Sequence, residues 1–395
     1  MTTQTLTPAE ENDRSAYEQV DNGTLNDMLA YAAKKTGRSV VKLGVEFSRM
    51  SRGEGKINIS EYMRWGLFYE DRYTEEQRAQ FISNDAHWPI AHACNEKGWS
   101  SAAEDKILAG TILKAGGVAV PETVAVIDTS ARIYPGINKV STPDELRDLI
   151  LDIGTKKLFG KIIDGMVSFG AFKVEDADQA HITCAGQSPM TYADFMSSYL
   201  GDNGYLLQKT LENHEDIAPY CSALATVRMV NLVQADRVDC PIAVISMPQG
   251  DQIADTLWRS GNIACEIDTD SGEIKTVVTR DGPEIAFLDD HPSIAGWMGK
   301  KLPHWDALRE TNERAARLYA PIRYQSTDIA ITQNGPVIVE INYGGGFGLP
   351  QNAAGRGLLT PQVRSFFEDC GVEFGGKAKA KEKTKKSGFS LFRKG

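Results

Sequence analysis

The chain has 395 residues, 42% of them hydrophobic, and a formal net charge of −10, which is enough material for a large core shared by two or three subdomains. The last twenty residues, Gly376 to Gly395, carry eight Lys/Arg against one Glu, so the remainder stands at −17, which argues against nonspecific nucleic-acid binding by the main body. Cys94, Cys184, Cys221, Cys240, Cys265 and Cys370 form no CxxC and no Cys/His pair at zinc spacing, so the thiols read as those of a reduced, cytoplasmic protein and sulfur-bound metal is not expected.

Residues 1 to 15 are polar, lack the basic start and apolar core of a signal peptide, and read as disordered. Residues 16 to 100 read as a helical N-terminal region. Leu25, Met28, Leu29, Ala32 and Ala33 recur at helical spacing, as do Tyr62, Trp65 and Tyr69 after Ser60 as a candidate cap. Thr74 and Gln77 have the spacing of a capping box. The aromatic stripe reads as core, not as a cofactor site. Asp105 to Gly117 follows as a short helix, and Val118 to Ile127 as a strand interrupted by Pro121. Ile107 to Ile127, the most apolar long stretch, contains Lys114 and Pro121 and falls short of a membrane span. Pro143 to Ile153 is a helix with Thr142 as its cap.

The texture then turns to β structure: Lys157 to Asp164, a glycine-bearing turn, and Gly170 to Val174. Lys161 lies on the first of these strands, where an unpaired buried ammonium is costly, and the loop Asp164 to Gly170 offers backbone N–H groups beside it that can cradle phosphate. Its spacing fits neither a P-loop nor a dinucleotide fingerprint. Gly204 to Leu211 is a buried strand leaving into a polar loop, and Thr226 to Val233 with Val238 to Met247 forms a hairpin. Arg228, flanked by apolar residues, needs a bidentate acceptor such as carboxylate or phosphate, and a structural ion pair satisfies it equally well. Ile263 to Asp268 pairs with Glu273 to Thr279, and a helix covers Asp306 to Leu318.

The most informative stretch runs from Tyr324 to Gln351. Two apolar runs flank Asn334-Gly335 and so form a hairpin. It carries Asp328, Glu340 and Asn342 inside otherwise apolar strands, where a carboxylate must be paired or bound to a metal. Glu340 and Asn342 share a face, being two apart. Asp328 joins them only if it pairs with 340 or 342, so a three-residue or bulged loop is expected at Gln333 to Gly335. Two carboxylates and an amide oxygen form a hard donor set suited to magnesium holding phosphates, although the same residues could be salt-bridged or solvated. Pro361 to Cys370 is the closing helix, and the lysine-rich tail with Phe389, Leu391 and Phe392 is either a solvated disordered segment or a contact for an anionic membrane or partner.

The order of these features, with HPSIAGWMGKKLPHW, STDIAITQNGPVIVEIN and GLPQ, resembles the ATP-grasp superfamily and, more narrowly, the sugar-transfer-associated ATP-grasp family related to α-L-glutamate ligases. The resemblance covers roughly residues 55 to 370 and implies an α+β, ATP-grasp fold, two subdomains gripping ATP, over residues 101 to 375 with the basic tail at 376 to 395. It implies that Lys106 and Lys161 contact the α- and β-phosphates, with Asp164, Gly165, Ser168 and Gly170 in the loop over them. Gln208, Lys209 and Leu211 form the adenine hinge, and ribose contacts come from Glu212 or Glu215. Arg228 holds the γ-phosphate or an acyl phosphate, and Asp328, Glu340 and Asn342 hold two magnesium ions. Gln351 and Arg356 either contact the acceptor or cap the hairpin. The sequence departs from the family in Tyr343 to Gly348, where a proline-containing turn is common, and in Met166 and Val167, where glycine or serine is common. The implied activity is ATP-dependent ligation of a small-molecule carboxylate to an amine. The alternatives are a small-molecule or sugar kinase and a non-enzymatic nucleotide-binding partner of a polysaccharide assembly system.

Overall fold

A computed structural model describes residues 23–154, 158–165, 169–250, 253 and 261–375. The expectations placed on residues 1–15, on Met166, Val167 and Ser168, and on the tail 376–395 lie outside these.

Helices α1 (Leu25–Thr36), α2 (Val40–Arg52), α3 (Ile59–Arg64) and α4 (Glu75–Ala79) open the chain. Their start signals are local. Thr24 and Ser39 accept hydrogen bonds from the first turns of α1 and α2, while Asn58 with Glu61 and Thr74 with Gln77 form reciprocal capping boxes. The cap of α3 is therefore Asn58, not Ser60. The helix also stops at Arg64, because Gly66 takes a left-handed φ of 61°. Tyr62, Trp65 and Phe68 are buried with Leu29, Leu43 and Phe81 in a core of their own.

Helices α5 (His87–Cys94), α6 (Ser100–Glu104) and α7 (Lys106–Ala115) lead into the first sheet. Asp105 caps α7 from outside, accepting from Ile107 and Leu108, so the expected helix is trimmed at both ends. That sheet holds β1 (Thr123–Ile127), β2 (Lys139–Val140), β3 (Leu158–Ile162), β4 (Phe172–Ala177), β5 (His181–Cys184), β6 (Met190–Thr191) and β7 (Tyr205–Lys209). Strand β1 starts only after Pro121, which donates no ladder hydrogen bond. The order is β2-β1-β7-β3-β4-β5-β6, and helix α8 (Pro143–Ile153), capped by Thr142 as expected, packs Leu146 and Ile150 against one face.

The second sheet holds β8 (Thr226–Val233), β9 (Val238–Met247), β10 (Ile263–Ile267), β11 (Val277–Asp281), β12 (Glu284–Leu288), β13 (Tyr324–Thr332) and β14 (Gly335–Asn342), in the order β12-β11-β10-β9-β8-β13-β14. All its pairs are antiparallel. Helix α9 (Trp305–Leu318) and residues of α7 bury one face of this sheet. Residues of α5, α10 (Gly348–Ala354) and α11 (Pro361–Asp369) bury the other. Ile82, Ile90, Ala91 and Cys94 thus belong to the core of the second sheet, although they precede it by more than a hundred residues. Among the described residues no helix is long and apolar enough to cross a membrane.

Candidate active site

The hairpin β13–β14 places the acids, by a different device from the expected one. Thr332 pairs with Gly335, so the loop is Gln333-Asn334, and the register would then set Asp328 opposite Val339. It does not, because the ladder runs Ile329 to Ile338 and then Asp328 to Glu340, leaving Val339 as an extra residue. The bulge therefore lies inside β14 and not at the turn. It restores the facing that the chemistry needs: Asp328 opposite Glu340, and Ser326 opposite Asn342.

On its other side Asp328 pairs with Arg228 of β8. Three adjacent strands thus carry Arg228, Asp328 and Glu340 in one transverse row. Arg228 donates from both Nε and a terminal nitrogen to the two Asp328 oxygens, each at 2.8 Å. Asn342 adds its Nδ2–H to Asp328 Oδ2 at 3.1 Å. This fork-on-carboxylate pairing gives buried Asp328 the partner that its 6% exposure demands. Arg228 is thus bonded to the acid.

Two lysines come to the same row from the first sheet and its flank. Lys161 of β3 donates to the carbonyl of Val339, the bulged residue, at 3.2 Å. Burial pushes its ammonium down to about 8, against the pull of Glu340. Lys106 is not the exposed lysine that a helix start suggests: its side chain is 9% exposed and lies 3.1 Å from Glu340 Oε1. It also donates to the Gly165 carbonyl at 2.6 Å. Both lysines therefore bridge one sheet to the other at the point where the acids gather.

These groups line a cleft of about 940 Å³, which also takes in Asp164, Gly165, Gln208, Lys209, Leu211 and Glu212. Gln208 is buried in β7 with its amide 3.4 Å from Thr123 Oγ1, and Lys209 pairs with Glu122 at 2.8 Å. Gly170 and Glu215 do not line it. Gly170 forms the left-handed end of the loop, with φ of 69°, and Glu215 sits on a turn where its N–H donates to Gln333. Of Glu212 and Glu215, the cleft takes in Glu212. Neither Gln351 nor Arg356 lines the cleft. Gln351 is fully buried, bonding Ile82 N and O, Leu358 N and Phe347 O, and Arg356 pairs with Glu266.

The cleft also takes residues that sequence reasoning missed, among them Arg64, Asn84, His87, Trp88 and Arg280. Asn84 Oδ1 accepts from the N–H groups of Phe347 and Gly348, holding the glycine-rich turn after β14. His87 Nε2 is buried without a hydrogen-bond partner, and a Cβ on Gly344 would stand 2.5 Å from it. Burial, with Arg228 nearby, pushes His87 down to about 4. Nothing in the local sequence separates Arg64, Asn84, His87 and Trp88 from ordinary surface residues, and the docking of the N-terminal segment puts them here, whereas Arg280 comes from strand β11.

Residues 90–365 match the family described as sugar-transfer associated ATP-grasp. No curated protein matches the chain. Among solved structures it is similar to D-alanine--D-alanine ligase from Bacillus anthracis, at 15% identity and a TM-score of 0.38 over 70% of this chain and 69% of that one. It is also similar to N5-carboxyaminoimidazole synthase from Aspergillus clavatus, at 13% identity and a TM-score of 0.37 over 73% of this chain and 58% of that one. Biotin carboxylase from Campylobacter jejuni shares 12% identity at a TM-score of 0.38, over 68% of this chain and 46% of its own. The chain thus spans less than two thirds of the length of two of these three.

Proposed function

The chain belongs to the sugar-transfer associated ATP-grasp family, and from that premise we propose that it joins a carboxylate to an amine at the expense of ATP, releasing ADP and phosphate. The observation that carries this reading is the transverse row Arg228, Asp328, Glu340, met from the first sheet by Lys161 and from its flank by Lys106.

The row separates two kinds of charge. Lys106 and Lys161 offer ammonium groups to the phosphates that stay with the nucleotide, while Gln208 to Leu211 supports the base. Arg228, its guanidinium plane fixed by Asp328, faces the phosphoryl group that leaves. The substrate carboxylate attacks the terminal phosphorus, the bond to the ADP oxygen breaks, and an acyl phosphate forms. An amine then displaces phosphate to give the amide, with its proton passing to solvent. No side chain has to become a covalent nucleophile: alignment and charge stabilisation supply the rate.

The acids fit magnesium. Asn342 spends its Nδ2–H on Asp328 and keeps its carbonyl oxygen as a donor, and two carboxylates complete a hard oxygen set. Asp328, Glu340 and Asn342 would hold the ion, whose chemistry when bound is neutralisation of the triphosphate. Arg228 and Lys106 balance the carboxylates in the structure as it stands.

Magnesium-dependent ADP release, measured against a panel of amino acids, peptides and sugar acids with mass analysis of the product, tests the reading. An amide product is expected, and Glu340→Ala should lower ADP release at least ~100-fold, as expected for loss of a transition-state electrostatic group. A phosphorylated acceptor without amide would overturn the ligase reading in favour of a kinase.

A further inference from the structure

One corner of the cleft carries a carboxylate that the nucleotide chemistry leaves unused. Asp328 is forked by Arg228, and Glu340 lies 3.1 Å from Lys106. Glu104 ends α6, is exposed, and lines the cleft two residues before Lys106. Its neighbour Asp105 is taken up by the cap of α7 and by Arg132 at 2.7 Å. Among the described residues Glu104 itself makes no ion pair.

A row of rings joins this acid to Trp88. Helix α6 packs against β14, and Tyr343, the residue after Asn342, lines the cleft there. Burial, and then the charge of Glu104, push the Tyr343 phenol above its ordinary range, so the carboxylate lies within electrostatic reach of that side chain. The His92 ring sits 5.9 Å from that of Tyr343 and stacks on Trp88 at 5.7 Å, with 27° between the planes. His87 meets Trp88 edge-on at 4.9 Å, so the indole is held by two neighbours. It is nevertheless 43% exposed and lines the cleft. The corner therefore offers a positioned indole together with a carboxylate. Trp88 precedes the residues matched by the family, 90–365.

We propose that this corner is the subsite for the amine substrate, in which Glu104 accepts hydrogen bonds from the protonated amine and the Trp88 ring covers its positive end. A carboxylate and an aromatic face both favour an ammonium over a neutral or anionic group of the same shape. Tyr343 adjoins Asn342 of the acid row, which sets the amine next to the reacting centre. The ammonium releases one proton to solvent at this exposed edge, and the neutral amine then carries its lone pair to the acyl carbon. The proposal rests on the ligase reading for the role of the amine, but binding at the corner can be measured without turnover.

The test is calorimetry on the full chain loaded with ADP and Mg²⁺, using cyclohexylamine, cyclohexanol and cyclohexanecarboxylate as probes of one shape and different charge. The amine should bind at least ~10-fold tighter than either of the others, the scale of one charge-assisted contact. Glu104→Gln should remove that preference, and Trp88→Leu should narrow it by ~2- to 5-fold, the scale of an exposed cation–π contact. Both side chains are exposed, and ADP affinity within about twofold of the wild type reports that each variant is folded. An amine bound no tighter than cyclohexanol, binding of none of the probes, or an unchanged preference in either variant would overturn the proposal, and the wild-type comparison alone is enough to do so. Amide formation without any amine preference removes the subsite and leaves the ligase reading standing. A preference that depends on Glu104, in a protein that forms no amide, removes the ligase reading and leaves the cation subsite.

Discussion

Asp328 and Arg228 form a pair whose structural role is visible and whose part in the chemistry is the one proposed above. The carboxylate is too buried to stand alone, and the guanidinium that satisfies it is thereby held rigid beside the cleft. Removing Arg228 outright would strand a buried charge at a cost of about 3–5 kcal/mol, so the informative change is Arg228→Lys, which keeps the charge and loses the fork. It should lower kcat by ~10- to 100-fold while changing ADP affinity by less than about threefold, because the geometry matters most as charge moves in the transition state. Equal losses in both would count against the role proposed for Arg228. His87 makes a pH-dependent contribution. Its imidazole is held at about 4, below its ordinary 6.5, because burial beside Arg228 disfavours the cation. Between those values the unfolded chain binds a proton that the folded chain refuses, so stability is full above pH 6.5 and falls as pH drops toward 4. The loss should reach at most about 3 kcal/mol, and denaturant titrations of His87→Asn should lack that component of the fall.

Strand β14 shows what one inserted residue does. Its side chains alternate, so a slip of one position would turn Glu340 and Asn342 away from Asp328. Val339 absorbs that slip and points its carbonyl at Lys161. Deleting Val339 should leave a chain that unfolds cooperatively with Asp328 still opposite Glu340 in an unbulged ladder, so that with only the carbonyl bonded by Lys161 removed ADP release should fall by no more than ~10-fold, the scale of one hydrogen bond. A fall of ~100-fold or more would show that the bulge itself, and not the facing of Glu340, sets the activity. The neighbouring turn is similarly constrained: Gly344, with φ of 136°, lies against His87 and has no room for a Cβ.

At the scale of the molecule, the second sheet is completed by residues that come long before it. Ile82, Ile90, Ala91 and Cys94 fill its core, and Gln351 is bonded to Ile82 through both backbone groups. A chain starting at Ser100 would leave that face open, forfeiting several kilocalories of burial at ~1.5–3 kcal/mol per large side chain against a total stability of ~5–15 kcal/mol. It should therefore fail to give a cooperative thermal transition by circular dichroism, whereas a transition like that of the full chain would make the N-terminal helices dispensable. Much of this architecture was legible from residues alone. The capping signals of Thr142 and Thr74, the apolar runs of β8 and β9, and the polar trio on the β13–β14 hairpin are local patterns, with physics settled within a few residues of chain. The resemblance to a family then implied which cations should meet them. What required the tertiary structure was everything set by packing between distant segments. The bulge moved from the turn into β14, Arg228 turned out to be forked onto Asp328, Glu212 and not Glu215 faced the cleft, and Arg64, His87 and Arg280 entered its walls. Sequence fixes hydrogen-bonding appetite and periodicity, but which helix face is consumed by a neighbour depends on long-range closure, and that is decided only when the N-terminal helices dock on the second sheet.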